Sequence, residues 1–153
     1  MDTENKLRIS EDFRNRLIEL LQEDGDKKKD IAMKMNVDFR SLSNAYNFGI
    51  IPKPSTLMKM ADYFNVSIDY LLGRSDNDAF FKSDNPVSFY ARYSLLRDSR
   101  NLKDGQIATE LHFDRTLCYK WKSKNHVPTL EILDLLCDYF NVSLDYLLGR
   151  TDD

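Results

Sequence analysis

Two segments of this chain are almost identical, and this internal repeat constrains the fold more than any other feature. Residues 61–74 read ADYFNVSIDYLLGR and residues 137–150 read CDYFNVSLDYLLGR, so that twelve of fourteen positions agree. The offset of 76 residues continues upstream without gaps, where Phe13 matches Phe89. A repeat of this length is too long for a solenoid unit and long enough to bury a small core. The sequence therefore predicts two domains of one fold.

A linker separates the predicted domains. Residues 74–86 read RSDNDAFFKSDNP, which is rich in Asp, Asn and Ser and ends in a proline, a composition typical of a loop. Phe80 and Phe81 are unusual in a free linker, and we expect them to pack on one of the domains. The predicted boundaries are residues 1–74 for the first domain, 75–86 for the linker and 87–153 for the second domain.

Composition narrows the class of protein. Of the 153 residues, 42% are hydrophobic, and no apolar run approaches the roughly 20 residues that span a bilayer. The polar N-terminus lacks the apolar stretch of a signal peptide. We expect Cys118 and Cys137 to be buried thiols of a protein in a reducing cytoplasm.

Catalysis and metal binding are not predicted. His112 and His126 have no Cys or His at ligand spacing, so we predict no metal site. The sequence has no Gly-rich phosphate loop, no nucleophile with a base and no paired catalytic carboxylates. We therefore predict neither a cofactor nor an enzyme.

Net charge alone argues against a nucleic-acid partner. The chain carries −3 and has a pI near 5.4, whereas nucleic-acid binders tend to be basic. The charges are distributed unevenly along the chain. Residues 115–124 hold four cations and no acid, while the matching residues 39–48 hold one charged residue, Arg40. The two repeats are therefore not electrostatically equivalent.

The hydrophobic pattern predicts helices throughout. Apolar residues recur at spacings of three and four rather than two, and each repeat reads as five short helices. In the second repeat we expect Asp114 to cap the third helix and Ser143 to cap the fifth, which ends at Gly149. The corresponding residues of the first repeat are Asp38, Ser67 and Gly73.

The central part of each repeat resembles the helix-turn-helix of the phage-repressor and Cro-type (XRE-type) family. The residues that carry the resemblance are Ile107-Ala108, Leu111-His112-Phe113-Asp114, Leu117-Cys118, Trp121 and Pro128. The closing segment NVSLDYLLGRTD resembles the C-terminal part of that domain in many bacterial regulators. The resemblance covers residues 10–74 and 87–150. It implies an all-α chain of two tandem five-helix, lambda-repressor-like DNA-binding domains.

The residues of the turn fit this motif independently. Two helices that cross closely need a small residue, which Ala32 and Ala108 supply. The turn needs a residue that tolerates left-handed backbone, and Asn36 and His112 are among the suitable types. In both repeats the third helix ends one residue later than is usual in the family, at Gly49 and Asn125.

The resemblance makes the third helix of each repeat a recognition helix, whose N-terminal residues reach base edges in the major groove of double-stranded DNA. In the second repeat, the implied base contacts are Arg115, Thr116, Tyr119 and Lys120, and the implied phosphate contacts are Lys103 and Arg100. In the first repeat, the corresponding residues are Phe39, Arg40, Ser43 and Asn44, with Lys27, Lys28 and Lys29 as phosphate anchors.

Two departures from the family pattern affect these contacts. The family often opens its second helix with a Gln that binds phosphate, but Lys28 and Asp104 stand there, so we expect this contact only in the first repeat. The family often joins its first and third helices by an Arg–Glu pair. That pair is missing, because the positions hold Arg97 and Lys122 in the second repeat and Leu21 and Tyr46 in the first.

Several residues keep a second interpretation. Trp121 is either a core residue, which we favour, or a base-stacking platform. The stretch from Lys120 to Lys124 is either a DNA-binding face or a solvated helix face. Phe39 contacts either a base or a protein partner, and residues 27–29 form either a phosphate clamp or ordinary surface.

The predicted function is sequence-specific binding of double-stranded DNA by a transcriptional regulator, a repressor of bacterial or phage origin. Half-sites of such motifs lie about 34 Å apart, and a linker of 13 residues stretches to roughly 45 Å, so one chain would cover two neighbouring grooves. The competing prediction is a protein-interaction module that binds a partner protein. A homodimer or protein partner would use an apolar surface on the first repeat, formed by Phe39, Tyr46, Phe48, Ile50 and Ile51.

Overall fold

The computed structural model describes residues 8–153, and this part of the chain is helical. It contains ten helices and no strand, with one isolated antiparallel bridge between Ile9 and Ile50. The prediction of an all-α chain is confirmed. The chain divides into two compact units, Met1–Phe80 and Phe81–Asp153, and each carries five helices in the same order.

The first unit has an aliphatic core. Its helices are α1 (Glu11–Asp24), α2 (Lys28–Met35), α3 (Phe39–Phe48), α4 (Pro54–Phe64) and α5 (Ile68–Leu71). Helix α1 packs against α3 and α5, and α2 packs against α3 and α4. Leu17, Leu42 and Ala45 are fully buried where these helices meet.

The second unit has a more aromatic core. Its helices are α6 (Phe89–Ser99), α7 (Asp104–Leu111), α8 (Thr116–Lys124), α9 (Leu130–Phe140) and α10 (Leu144–Leu147). Trp121 stands where the first unit has Ala45, and its ring lies edge-on to Phe89 at 5.3 Å and to Tyr93 at 5.2 Å between centroids. Trp121 is 2% exposed, so the favoured interpretation of this residue as core is confirmed.

The predicted helix ends follow local hydrogen bonds. The Oγ of Ser67 accepts from the Tyr70 N–H at 2.9 Å, and the Oγ of Ser143 accepts from the Tyr146 N–H at 3.0 Å. After the third helix of each unit, Gly49 and Asn125 adopt left-handed backbone with φ of 70° and 53°. These caps and ends are confirmed.

An arginine, buried in the second unit and half-buried in the first, ties the first helix of each unit to its C-terminal end. In the second unit, Nη1 of Arg92 donates to the carbonyls of Tyr146 at 2.8 Å and Thr151 at 3.4 Å. Its guanidinium also lies 3.9 Å from the centre of the Tyr146 ring. Arg16 makes the equivalent contacts with the carbonyls of Tyr70 and Ser75. The repeated sequence therefore encodes a repeated tertiary contact.

The N-terminal half of the predicted linker is held by the first unit. Arg16 donates to the Ser75 carbonyl at 3.2 Å and forms an ion pair with Asp76 at 3.2 Å. These contacts fix residues 75 and 76 against α1.

The C-terminal half of the predicted linker belongs to the second unit. The Ser83 N–H donates to the Arg150 carbonyl at 2.8 Å, and the Thr151 hydroxyl donates to the Phe81 carbonyl at 2.9 Å. Residues 77–80 lie between these two sets of contacts.

Two expectations about buried side chains are corrected. The ring of Phe81 is 82% exposed, because this residue is held through its backbone carbonyl rather than its side chain. Phe80 is half-buried. Cys118 is buried but Cys137 is only half-buried, and neither forms a disulfide.

Residues 8–153 contain neither a candidate membrane span nor a candidate metal cluster. None of the helices there is long and apolar enough to cross a bilayer. Those residues also bring no three His, Cys, Asp or Glu side chains together in a way that would hold a metal ion.

Candidate nucleic-acid interface

A tight turn joins α7 to α8 in the second unit. The Lys103 N–H donates to the Gln106 side chain at 2.7 Å and so fixes the start of α7. Helix α7 ends at His112, whose φ of 62° lies in the left-handed region. Asn36 has the same role in the first unit, with φ of 59°. Each unit therefore joins its second and third helices through a residue with left-handed backbone, as the predicted motif requires.

Helix α8 begins with a capped but tightened turn. The Asp114 carboxylate accepts from the Thr116 N–H at 2.9 Å, and this backbone hydrogen bond is the main reason why the pKa of Asp114 lies below its usual value. Asp114 therefore acts as the predicted cap. Arg115 has helical backbone angles but precedes the first residue of α8. The Cys118 N–H donates to the Arg115 carbonyl at 3.1 Å, a hydrogen bond over three residues, as in a 3₁₀ turn.

The outer face of α8 is polar and basic. The four predicted base-contact residues are all exposed, and Tyr119 is 70% exposed: Arg115, Thr116, Tyr119 and Lys120. The opposite face carries Cys118 and Trp121 into the core. Lys122 and Lys124 are also exposed, so that α8 presents positive charge along its full length.

An open cleft of about 620 Å³ lies where α6, α7 and α8 meet. Lys103, Arg115, Thr116 and Tyr119 line it together. Lys120 does not line this cleft. The structure therefore places the predicted phosphate contact Lys103 beside three of the predicted base contacts.

A partly buried polar cluster in the wall of this cleft was missed by the sequence reasoning. The Asp104 carboxylate accepts from the Tyr93 hydroxyl at 2.8 Å and from Arg97 Nη1 at 2.9 Å. Tyr93 also lies 3.6 Å from the Cys118 sulfur. We call Tyr93, Arg97, Asp104 and Cys118 the polar cluster. It joins α6, α7 and α8 by hydrogen bonds, whereas leucines stand at three of the four matching positions of the first unit.

The polar cluster fixes the charge states of its members. Burial, together with the hydrogen bonds to Cys118 and Asp104, raises the pKa of Tyr93, so that its hydroxyl keeps its proton. Hydrogen bonds to Asp98 and Asp104 raise the pKa of Arg97. In the family, a Glu pairs with the arginine at this position. Here Arg97 pairs instead with the carboxylates of Asp98 and Asp104. It is therefore neutralised and contributes little to the positive field of the cleft.

A signal for the polar cluster was present in the aligned repeats. Four positions change together from the first repeat to the second: Leu17 to Tyr93, Leu21 to Arg97, Lys28 to Asp104 and Leu42 to Cys118. Three buried leucines give way to groups that hydrogen-bond. Coupled replacement of this kind indicates groups that need each other, because a buried polar group alone is costly.

Arg100 supports the C-terminal end of α9. Its guanidinium donates to the carbonyls of Tyr139 at 3.2 Å and Phe140 at 2.8 Å. The last carbonyls of a helix have no partner within the helix and attract cations. The phosphate contact implied for Arg100 stays a prediction, and a phosphate would have to share the guanidinium with these carbonyls.

The first unit presents a different surface. Arg40 is exposed and Phe39 is 45% exposed, whereas Ser43 and Asn44 are half-buried. The Ser43 hydroxyl accepts from the Asn47 amide at 3.1 Å. Helix α3 therefore offers fewer free polar groups than α8.

Lys28 has a partner within the first unit. Its ammonium lies 3.4 Å from the centre of the Tyr46 ring, an attractive cation–π contact. Lys28 is half-buried, while Lys27 and Lys29 are exposed. A phosphate would have to share Lys28 with this ring.

The apolar surface expected on the first unit is partly covered. Phe48 is 61% exposed, but Tyr46, Ile50 and Ile51 are half-buried. Residues 8–10 pair with residues 49–51 through the Ser10 N–H to the Gly49 carbonyl at 2.9 Å and the Ile51 N–H to the Arg8 carbonyl at 2.8 Å. This pairing adds Ile9, 67% exposed, beside Ile50. The exposed apolar residues are therefore Phe39, Phe48 and Ile9.

Two curated proteins are similar to part of this chain. Over 63 residues it is 34% identical to the HTH-type transcriptional activator BcrR of Enterococcus faecalis. This match covers 41% of this chain and 31% of BcrR. Over 61 residues it is 39% identical to the HTH-type transcriptional regulator ImmR of Bacillus subtilis (strain 168). This match covers 40% of this chain and 48% of ImmR.

The extent of this similarity is limited. The matches span about a third to a half of the length of these two relatives. No protein-family model matches the chain, and no solved structure matches it significantly. The similarity to two HTH-type transcriptional regulators supports an HTH regulator family for the matched part of the chain.

Proposed function

We propose that this chain binds double-stranded DNA sequence-specifically and regulates transcription, with the second unit as the dominant reader. The observation that carries the proposal is the exposed face of α8, where residues 115–124 hold four cations and no acid. The nearest acids are already engaged, since Asp114 caps α8 and Asp104 pairs with Arg97. The overall negative charge of the chain therefore does not oppose DNA at this face.

In this proposal, the start of α8 enters the major groove. Arg115 would donate its paired N–H groups to guanine, and Thr116, Tyr119 and Lys120 would contact neighbouring base edges. Lys103 would hold a backbone phosphate and set the register. The role is binding rather than catalysis. The direction that we propose is repression, for which a reporter gene under the selected site is the test.

Base readout is tested by removing Arg115. At a site selected from random DNA, Arg115→Ala should cost roughly 1–3 kcal/mol and relax the preference at one base pair. Lys82→Ala is the matched control, because Lys82 is an exposed cation of the same unit outside α7 and α8. Equal losses on selected and random DNA for Arg115→Ala would exclude it from base readout.

Electrostatic binding is tested by the dependence of affinity on salt. Five exposed cations lie on α8 and at the start of α7: Lys103, Arg115, Lys120, Lys122 and Lys124. At about −0.9 per neutralised phosphate, the slope of log affinity against log salt should be near −4.5. A flat response would refute DNA binding by this surface.

A second candidate function concerns the first unit, and its exposed Phe39 and Phe48 favour it. Exposed apolar groups of this size are more typical of an interface than of a groove reader. We propose that this surface carries self-association or a protein partner. In sedimentation of the full chain, Phe48→Ser should weaken association, whereas Leu95→Ser, at a 59% exposed leucine of the second unit, should not. A chain that is monomeric at all concentrations would remove the homodimer.

A further inference from the structure

The first turn of α7 has an unusual residue for a helix. Gly105 lies within Asp104–Leu111, although glycine weakens a helix relative to alanine. Its backbone is not among those with positive φ. The conformation of the chain therefore does not require a glycine here.

The Arg115 side chain packs beside this residue, at a distance that leaves room for a methyl group. A Cβ atom on residue 105 would lie 3.4 Å from Cδ of Arg115 and 3.8 Å from its Nη1, and no other atom would come within 4 Å. The aliphatic part of Arg115 therefore lies directly over the bare backbone of Gly105. We call this contact the arginine seat.

The seat rests on a fixed part of the molecule. Asp104, next to Gly105, is held by Tyr93 and Arg97 of α6. On the other side, the Lys103 N–H is held by Gln106. The first unit has no such seat, because Lys29 and Phe39 occupy the positions of Gly105 and Arg115.

We propose that Gly105 is a specificity-determining residue of the second unit, and this rests on the function proposed above. Arg115 precedes the first residue of α8 and has a long, flexible side chain. The seat restricts its conformers before DNA binds, which lowers the ordering cost of each hydrogen bond to a base. Gly105 then determines which base pair Arg115 reads, although Gly105 itself contacts no base.

The experiment compares two substitutions in the full chain. In Gly105→Ala, the added Cβ makes only ordinary contact with Arg115, so base preference should stay within about twofold of the original. In Gly105→Leu, the larger side chain takes the place of the Arg115 stem. Discrimination at the base pair read by Arg115 should then fall about 5-fold to 150-fold, the range that one base pair commands, while the salt slope stays unchanged.

A double substitution separates this role from a structural one. In the Arg115→Ala background, Gly105→Leu should cause no further loss of discrimination, because the two changes remove the same interaction. A similar loss in both backgrounds would overturn the proposal. Equal weakening on selected and random DNA would overturn it as well.

The seat is also measured without DNA, so that its failure is distinct from failure of the proposed function. In the NMR spectrum of the free chain, the Hα protons of Gly105 should show nuclear Overhauser contacts to the Hδ protons of Arg115. Their absence would refute the seat. If they are present but the original chain shows no sequence preference, the proposed function fails and the specificity role of Gly105 fails with it.

Discussion

Gly149 is the residue at which a single methyl group should disturb the second unit most. It has φ of 74°, and a Cβ there would lie 1.9 Å from the Val87 carbonyl oxygen and 2.8 Å from the carbonyl carbon. The Val87 N–H also bonds to the Gly149 carbonyl at 3.4 Å. The substitution Gly149→Ala must therefore push residues 81–87 away from the C-terminal turn.

Gly25 supplies a matched control for the backbone part of this effect. It has φ of 81°, and a Cβ there would meet nothing within 4 Å. Left-handed backbone at an alanine lowers the free energy of unfolding by about 1–2 kcal/mol. Replacing glycine by alanine also reduces the conformational entropy of the unfolded chain, which offsets about 0.4–1 kcal/mol of this loss. We therefore expect Gly25→Ala to cost about 1 kcal/mol.

The overlap with Val87 adds to this cost in Gly149→Ala. Overpacking of a folded site costs about 1–3 kcal/mol, so the total should be about 2–4 kcal/mol. For a domain of this size, about 4–8 °C is lost per kcal/mol. The transition of the second unit should therefore fall by roughly 10–25 °C, against about 4–8 °C for the first unit in Gly25→Ala.

Calorimetry of the full chain measures both changes, and hydrogen exchange assigns each transition to a unit. Amides in residues 83–99 should lose protection in Gly149→Ala only. If Gly149→Ala lowers stability no more than Gly25→Ala, then residues 81–87 do not close over Gly149 in solution, and the C-terminal half of the predicted linker is free after all.

Three further outcomes follow from the second unit. Asp104→Ala leaves Arg97 and Tyr93 without a shared acceptor and should cost about 1–3 kcal/mol in urea unfolding; a cost no greater than that of Lys28→Ala in the first unit would contradict this role. Burial raises the pKa of the Cys118 thiol, so iodoacetamide should modify Cys137 first near neutral pH, and mass spectrometry showing the reverse order would exclude a closed core there. The pKa of Asp114 is lower in the folded state, so the ionised carboxylate stabilises the fold above its unfolded pKa, about 3.9, and this stabilisation is lost as pH falls through the folded value. Asp114→Asn keeps an acceptor at the cap and should reduce the dependence of stability on pH in this acid range. An unchanged dependence would contradict the assignment.

The sequence by itself determined the features that depend on neighbouring residues. The repeat predicted two similar units, and the period of apolar residues predicted their helices. Caps and turns were also accessible, because the partners lie two or three residues apart, as in Asp114 with Thr116 and Ser143 with Tyr146. Left-handed backbone at Asn36 and His112 follows from the few side chains that tolerate it.

Only the tertiary structure decided which side chains meet across helices. Arg100 and Arg115 are the same residue type in similar polar surroundings of the sequence, yet one caps α9 and the other lies over Gly105. The polar cluster and the anchored linker ends likewise join residues from different helices. Long side chains have many conformers of similar energy, and the packing of neighbouring helices selects one. That selection brought Lys103 and Arg115 to one cleft and paired Arg97 with Asp104.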